Sequence, residues 1–91
     1  MIDMALIINA PDALSHRELA LLSATAMGRV ELSCSSEPDA FVDDLAFSDQ
    51  QTARRAVHTG LIEPGQSGPA GQRVPARITN YGLQVLRTAA S

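Results

Sequence analysis

The chain has 91 residues, which is room for one hydrophobic core and no second domain. With 45% hydrophobic and only 3% aromatic residues it is apolar enough to exclude disorder throughout, but Ala, Leu, Val and Ile must build the core in place of rings. The net charge of −3 conceals a division, because residues 1–50 hold nine acids and two arginines whereas residues 51–91 hold five arginines and one acid, so the folded chain can present one basic face.

The apolar run at residues 4–8 is closed by Asn9, Ala10 and Pro11, and its length suits a strand or an arm that packs on the domain or on a partner subunit. It carries Asp3 beside it, lacks a basic leader and is too short to cross a bilayer, so neither a signal peptide nor a membrane span is expected and the protein is read as cytoplasmic. Residues 1–13 form this arm and residues 14–91 the domain.

Ser15-His16-Arg17-Glu18 is a capping box, in which the Ser15 hydroxyl and the Glu18 carboxylate each satisfy a free backbone N–H, with Leu14 and Leu19 as its hydrophobic staple. Leu19, Leu22 and Ala26 recur at helical spacing and Gly28 supplies the stop, which predicts a first helix over residues 16–27. Val30 and Leu32 alternate with polar neighbours as in a short half-buried strand, followed by a polar turn at Cys34 to Ser36. Cys34 is the only cysteine, so an internal disulfide and a thiolate-rich zinc cage are excluded.

Pro38 suits a first helical turn, Glu37 and Asp39 are acids at a helix N-terminus, and Phe41, Val42 and Leu45 supply an apolar stripe, which predicts a second helix of two turns. A further capping box, Ser48-Asp49-Gln50-Gln51, opens a third helix at residues 48–59 that Gly60 ends. Two short helices joined this way make a helix-turn-helix. A wing at residues 61–78 follows: a strand at Leu61 to Glu63, a loop rich in Gly and Pro, and a returning strand at Arg73 to Ile78. In that strand Val74, Ala76 and Ile78 face inward, and Pro75, which has no N–H to donate, marks it as an edge strand with Arg73 and Arg77 outward. Thr79 or Asn80 caps a final helix with Leu83, Leu86 and Ala90 inward. The fold class expected is therefore mainly α with a small β wing: a winged helix-turn-helix with a three-helix core, a sheet of two or three antiparallel strands and a C-terminal helix.

On the third helix Ala53, Ala56 and Val57 form the inward stripe, while Gln50, Arg54 and His58 form one outward row and Gln51 with Arg55 its neighbour. Gln pairs with adenine edges, Arg with guanine or with phosphate, so the face suits a helix in a DNA major groove, with Arg73 and Arg77 on the backbone. The acids Asp39, Asp43 and Asp44 have a helix-capping explanation and make a poor metal site, and no nucleophile, base and orienter converge around His16, His58 or Cys34. Neither an enzyme nor a cofactor is expected.

The stretch Ala56-Val57-His58-Thr59-Gly60-Leu61-Ile62, the Gly-rich loop after it, and Ile78-Thr79-Asn80-Tyr81-Gly82-Leu83 resemble winged-helix regulators of the multiple-antibiotic-resistance repressor type. In that family a recognition helix ends in a Gly-Leu-Ile-like step, a wing follows, and a Leu-Thr-x-x-Gly-like step opens the next helix. The likeness covers residues 14–89; the wing departs from the family in lacking its Asp-x-Arg pair. It supports the winged-helix fold; with the third-helix residues, the function expected is a small transcriptional regulator that reads double-stranded DNA, and a homodimer through the N-terminal arm or the C-terminal helix is one partner arrangement open to it. The alternative reading is a winged-helix protein-interaction module that uses its acidic face or its apolar arm and makes no direct DNA contact.

Overall fold

The computed structural model describes residues 15–90, and the arm and strand expected before Ser15 lie outside the described residues. Three helices pack on one face of a five-stranded antiparallel sheet. In chain order the elements are α1 (His16–Ala26), β1 (Val30–Ser33), β2 (Ala40–Val42), β3 (Leu45–Ala46), α2 (Gln50–His58), β4 (Ile62–Pro64), β5 (Arg73–Ile78) and α3 (Asn80–Ala90). The sheet order is β3-β2-β1-β5-β4.

α1 forms where its cap places it: the Ser15 hydroxyl accepts from the Glu18 N–H at 3.1 Å. Its buried stripe runs through Glu18, Leu21, Leu22 and Thr25, so the expected stripe of Leu19, Leu22 and Ala26 is rotated. Leu19 is half-buried and Ala26 exposed. α1 and α2 end alike, since Gly28 and Gly60 take φ of 76° and 80°. That left-handed step lets Arg29 N–H reach the Ala24 carbonyl at 3.0 Å and Leu61 N–H the Ala56 carbonyl at 2.9 Å, the Schellman pattern that turns the chain into the next strand.

The expected second helix is a β-hairpin. Phe41 pairs with Ala46 and Val42 with Leu45 across a two-residue turn in which Asp43 and Asp44 both have positive φ, 51° and 74°. Such a turn matches strand twist, and Asp tolerates it better than most residues. The Arg29 guanidinium anchors it on Asp43 at 2.6 Å and, through that hydrogen bond, holds the Asp43 carboxyl below the usual carboxylate range. A helix-turn-helix in the strict sense is therefore absent from the described residues, and the structure is more β-rich than expected.

β5 is also not an edge strand, because β1 pairs with its other side at Leu32↔Val74 and Ser33↔Arg73. Pro75 is tolerated there because its missing N–H falls on the β4 side beyond Pro64, where the Gly65 N–H still bonds to the Pro75 carbonyl at 2.7 Å and the loop departs. The inward face is as read, with Val74 and Ala76 buried and Ile78 half-buried.

The core joins Leu21, Leu22, Val30, Leu32, Ala40, Ala53, Ala56, Leu61, Ile62 and Ala76, with Val85 and Leu86 of α3 packed against it. α3 is clamped at its start. Thr79 donates its N–H to the Leu61 carbonyl at 3.1 Å and its hydroxyl to the Gly60 carbonyl at 2.6 Å, while the hydroxyl oxygen accepts from the Gly82 N–H at 2.9 Å. A side chain at Gly82 would fall on that Leu61 carbonyl and within 2.9 Å of Ile78 Cγ1, which gives the Thr79-x-x-Gly82 step a packing reason.

Candidate interaction surface

The outward row expected on α2 is divided by the fold. Asp49, not Ser48, caps the helix: its carboxylate accepts from Thr52 N–H at 3.1 Å and from the Thr52 hydroxyl at 2.7 Å. These bonds, with the Arg17 guanidinium at 3.3 Å, hold the Asp49 carboxyl below its ordinary range. The shift of the cap by one residue makes Gln50 the first helical residue and turns it inward. Its side-chain amide accepts from Ala40 N–H at 2.7 Å and donates to the carbonyls of Ala40 and Phe47 at 2.9 and 2.8 Å, completing the β2–β3 ladder where the strands part. Gln50 is a structural crosslink, which corrects its placement among outward base-reading residues.

Arg54 reaches Asp39 Oδ1 at 2.6 Å, and His58 Nε2 lies 3.3 Å from Glu37 Oε2 and 3.2 Å from the Ser36 carbonyl. Both are thereby tied to the segment before β2. Gln51 and Arg55 remain exposed and line a shallow groove with Ser15, His16 and Arg17, a neighbourhood that spacing along the chain does not reveal. Arg55 comes within 3.7 Å of Glu18, whose side chain is 4% exposed and whose Oε1 has no hydrogen-bond partner.

Arg73 and Arg77 are exposed as read but stand on the sheet face opposite the helical core, since their inward neighbours are Val74 and Ala76. Arg73 lies over the Phe41 ring at 4.2 Å and 3.1 Å from Asp44, and Arg77 grips Glu63 at 2.7 Å. Arg73 shares a second groove with Cys34 and with Asp39, the carboxylate that Arg54 holds. Folding therefore interleaves the charges that the sequence segregates: Arg17, Arg29, Arg54, Arg55, Arg73 and Arg77 each come within 3.7 Å of a carboxylate.

Three large apolar side chains stay exposed among the described residues. Met27, Leu45 and Tyr81 are 61%, 73% and 57% exposed. Antiparallel pairing puts them at the same end of the sheet, for there α1 ends, β1 begins, β2 turns into β3, and β5 passes into α3. The Arg29–Asp43 pair and exposed Asp44 sit beside them at the hairpin turn. Sequence reasoning missed all three, because Met27 and Leu45 read as helix residues and Tyr81 as part of a cap. Among the described residues no helix is long and apolar enough to cross a membrane, and no group of three or more His, Cys, Asp or Glu is placed to hold a metal ion.

No protein-family model matches the chain, and no curated protein or solved structure does so either.

Proposed function

We propose that this domain is a non-catalytic protein-interaction module of winged-helix type that docks a partner polypeptide through its apolar end and makes no direct DNA contact. The fold reading rests on the order helix, strand, hairpin, helix, two-stranded wing, helix, with β5 between β1 and β4, and on the family-like steps at Gly60-Leu61-Ile62 and Thr79-Asn80-Tyr81-Gly82. The β2–β3 hairpin stands where the first helix of a helix-turn-helix would lie. The functional reading is carried by one observation: Met27, Leu45 and Tyr81 share one end with a charged rim, the composition of a protein-binding patch.

The arginines weigh the same way. A phosphate approaching Arg54, Arg73 or Arg77 meets a carboxylate already in place, so counterion release, the main source of DNA affinity, has little to draw on. A photo-crosslinking residue in place of Leu45 should capture a defined partner in cells, and Met27→Asp or Tyr81→Asp should abolish the capture. Retention of the protein on random duplex DNA at low salt, lost in the double variant Arg54→Ala with Arg55→Ala, would overturn this reading.

That outcome would support the second reading, a transcriptional regulator whose α2 lies in the major groove. It has one observation in its favour, the exposure of Gln51 and Arg55 beside His16 and Arg17. In it Arg54→Ala weakens specific binding by about 1–3 kcal/mol.

A further inference from the structure

We infer that the groove between the N-termini of α1 and α2 is a binding site for a free α-amino acid, whose ammonium is held by Glu18 and whose carboxylate is held by Arg55. The site shares no residue with the apolar end, so it stands or falls separately from the partner reading above.

Glu18 is the anomaly that points to a ligand. Its side chain is buried, yet its Oε1 has no hydrogen-bond partner, and Arg55 stops 3.7 Å away, too far for a hydrogen bond. A buried carboxylate is costly unless it is paired and hydrogen-bonded, so this oxygen calls for a donor that the described residues do not supply. The one charged group against it among those residues, Arg55, is a wall of the groove and more than half exposed.

The groove itself is built for a charged small molecule. The caps of both helices, Ser15 and Asp49, line it together with Arg17, Gln51 and Arg55, so two helix N-termini, where partial positive charge gathers, open onto one space. That space is about 520 Å³, within the roughly 300–1,000 Å³ of small-molecule sites.

Charge and distance choose the class of ligand. Glu18 and Asp49 already stand against Arg55 and Arg17, so a lone anion would leave the site with excess negative charge and a lone cation with excess positive charge. A zwitterion keeps the balance. In an α-amino acid the ammonium nitrogen and the carboxylate oxygens hang from one carbon, about 3 Å apart. One molecule therefore reaches both members of a pair held 3.7 Å apart, its ammonium donating to Glu18 Oε1 and its carboxylate accepting from the Arg55 fork.

The test is amide NMR on the full chain, titrated at millimolar concentration with each common L-α-amino acid in turn and with inorganic phosphate and acetate. At least one amino acid should give saturable shifts at Arg17, Gln51 and Arg55. Its carboxamide and its N-acetyl derivative should bind roughly tenfold more weakly or worse, since each leaves one charged group without its partner. Glu18→Gln should weaken binding of the amino acid to the same degree, with the Leu32 and Val74 amides unmoved as controls of the fold. No saturable shift from any amino acid overturns the inference. So does binding of phosphate or acetate as tight as that of the amino acid, which would make the groove an anion site alone, or binding that Glu18→Gln leaves unchanged. If Glu18→Gln disturbs the control amides, Arg55→Gln, at an exposed position, decides: weakened binding supports the site and unchanged binding overturns it.

Discussion

Replacing Gly82 by Ala sets two physical arguments of opposite sign against each other. Gly82 is in the first turn of α3, and on helix propensity alone Ala there is better by about 1 kcal/mol. The structure says otherwise, because the new methyl would occupy the position of the Leu61 carbonyl oxygen and press on Ile78 Cγ1 at 2.9 Å. To admit it, α3 must lift, and lifting loosens the two hydrogen bonds that Thr79 gives, from its N–H to the Leu61 carbonyl and from its hydroxyl to the Gly60 carbonyl. Overpacking of a close contact costs about 1–3 kcal/mol and each weakened bond about 0.5–1.5 kcal/mol, which outweighs the propensity gain. The net expectation is a loss of about 2–3 kcal/mol, or roughly 8–24 °C in Tm for a domain of this size. Thermal and urea unfolding followed by far-UV circular dichroism measures it. Gln84→Ala, at an exposed position of the same helix, is the control and should be neutral or slightly stabilising. A Gly82→Ala protein as stable as the parent would refute the claim that this close approach clamps α3.

The remaining expectations concern the hairpin and the caps. Gln50→Ala strands the N–H of Ala40, which is fully buried, and should lower unfolding free energy in urea by about 1–3 kcal/mol while leaving the urea m-value unchanged. At Asp44, where φ is 74°, Gly should be more stable than Ala by about 1 kcal/mol; both variants lose the Arg73 ion pair, so their difference reports the turn alone. Because the folded Asp49 carboxyl titrates below its unfolded value, its contribution is present above the ordinary carboxylate pKa and is lost as pH falls through the folded one. Asp49→Asn keeps a capping oxygen, so it should match the parent near neutrality and lose less stability on acidification; parallel acid limbs for the two proteins would contradict this.

Where local chemistry decides structure, the residues announced it: Ser15 as a cap, Gly28 and Gly60 as stops, Thr79 with Gly82 as a helix entry, and the alternation of Val30 with Leu32 and of Val74 with Ala76 all recur in the fold. The second helix misread for a reason. Phe41, Val42 and Leu45 have the i, i+1, i+4 spacing of a helix stripe, and the turn between the strands is Asp43-Asp44, without the glycine that usually marks a two-residue hairpin. Gln50 misread because a polar residue at a helix start gives no sign that a strand end awaits its amide. The partners of Arg54, Arg55 and Arg73 come from distant segments, so a face that is basic along the chain is neutralised in space, and only tertiary structure reveals that.

The placement of β5 governs when the domain can exist during synthesis. β1 and β4 have no rung in common until the strand at residues 73–78 slides between them, and that strand is made after α1, the hairpin, α2 and β4. On the ribosome, α1 and the hairpin therefore emerge before their sheet can close, with hydrophobic faces waiting on β5. Residues 69–91 carry three arginines and no acid, whereas the earlier part is strongly acidic, so the late-arriving piece is drawn electrostatically toward the gap it fills. A chain nicked between Gly65 and Gln72 should accordingly be able to reassemble from its two parts at low ionic strength.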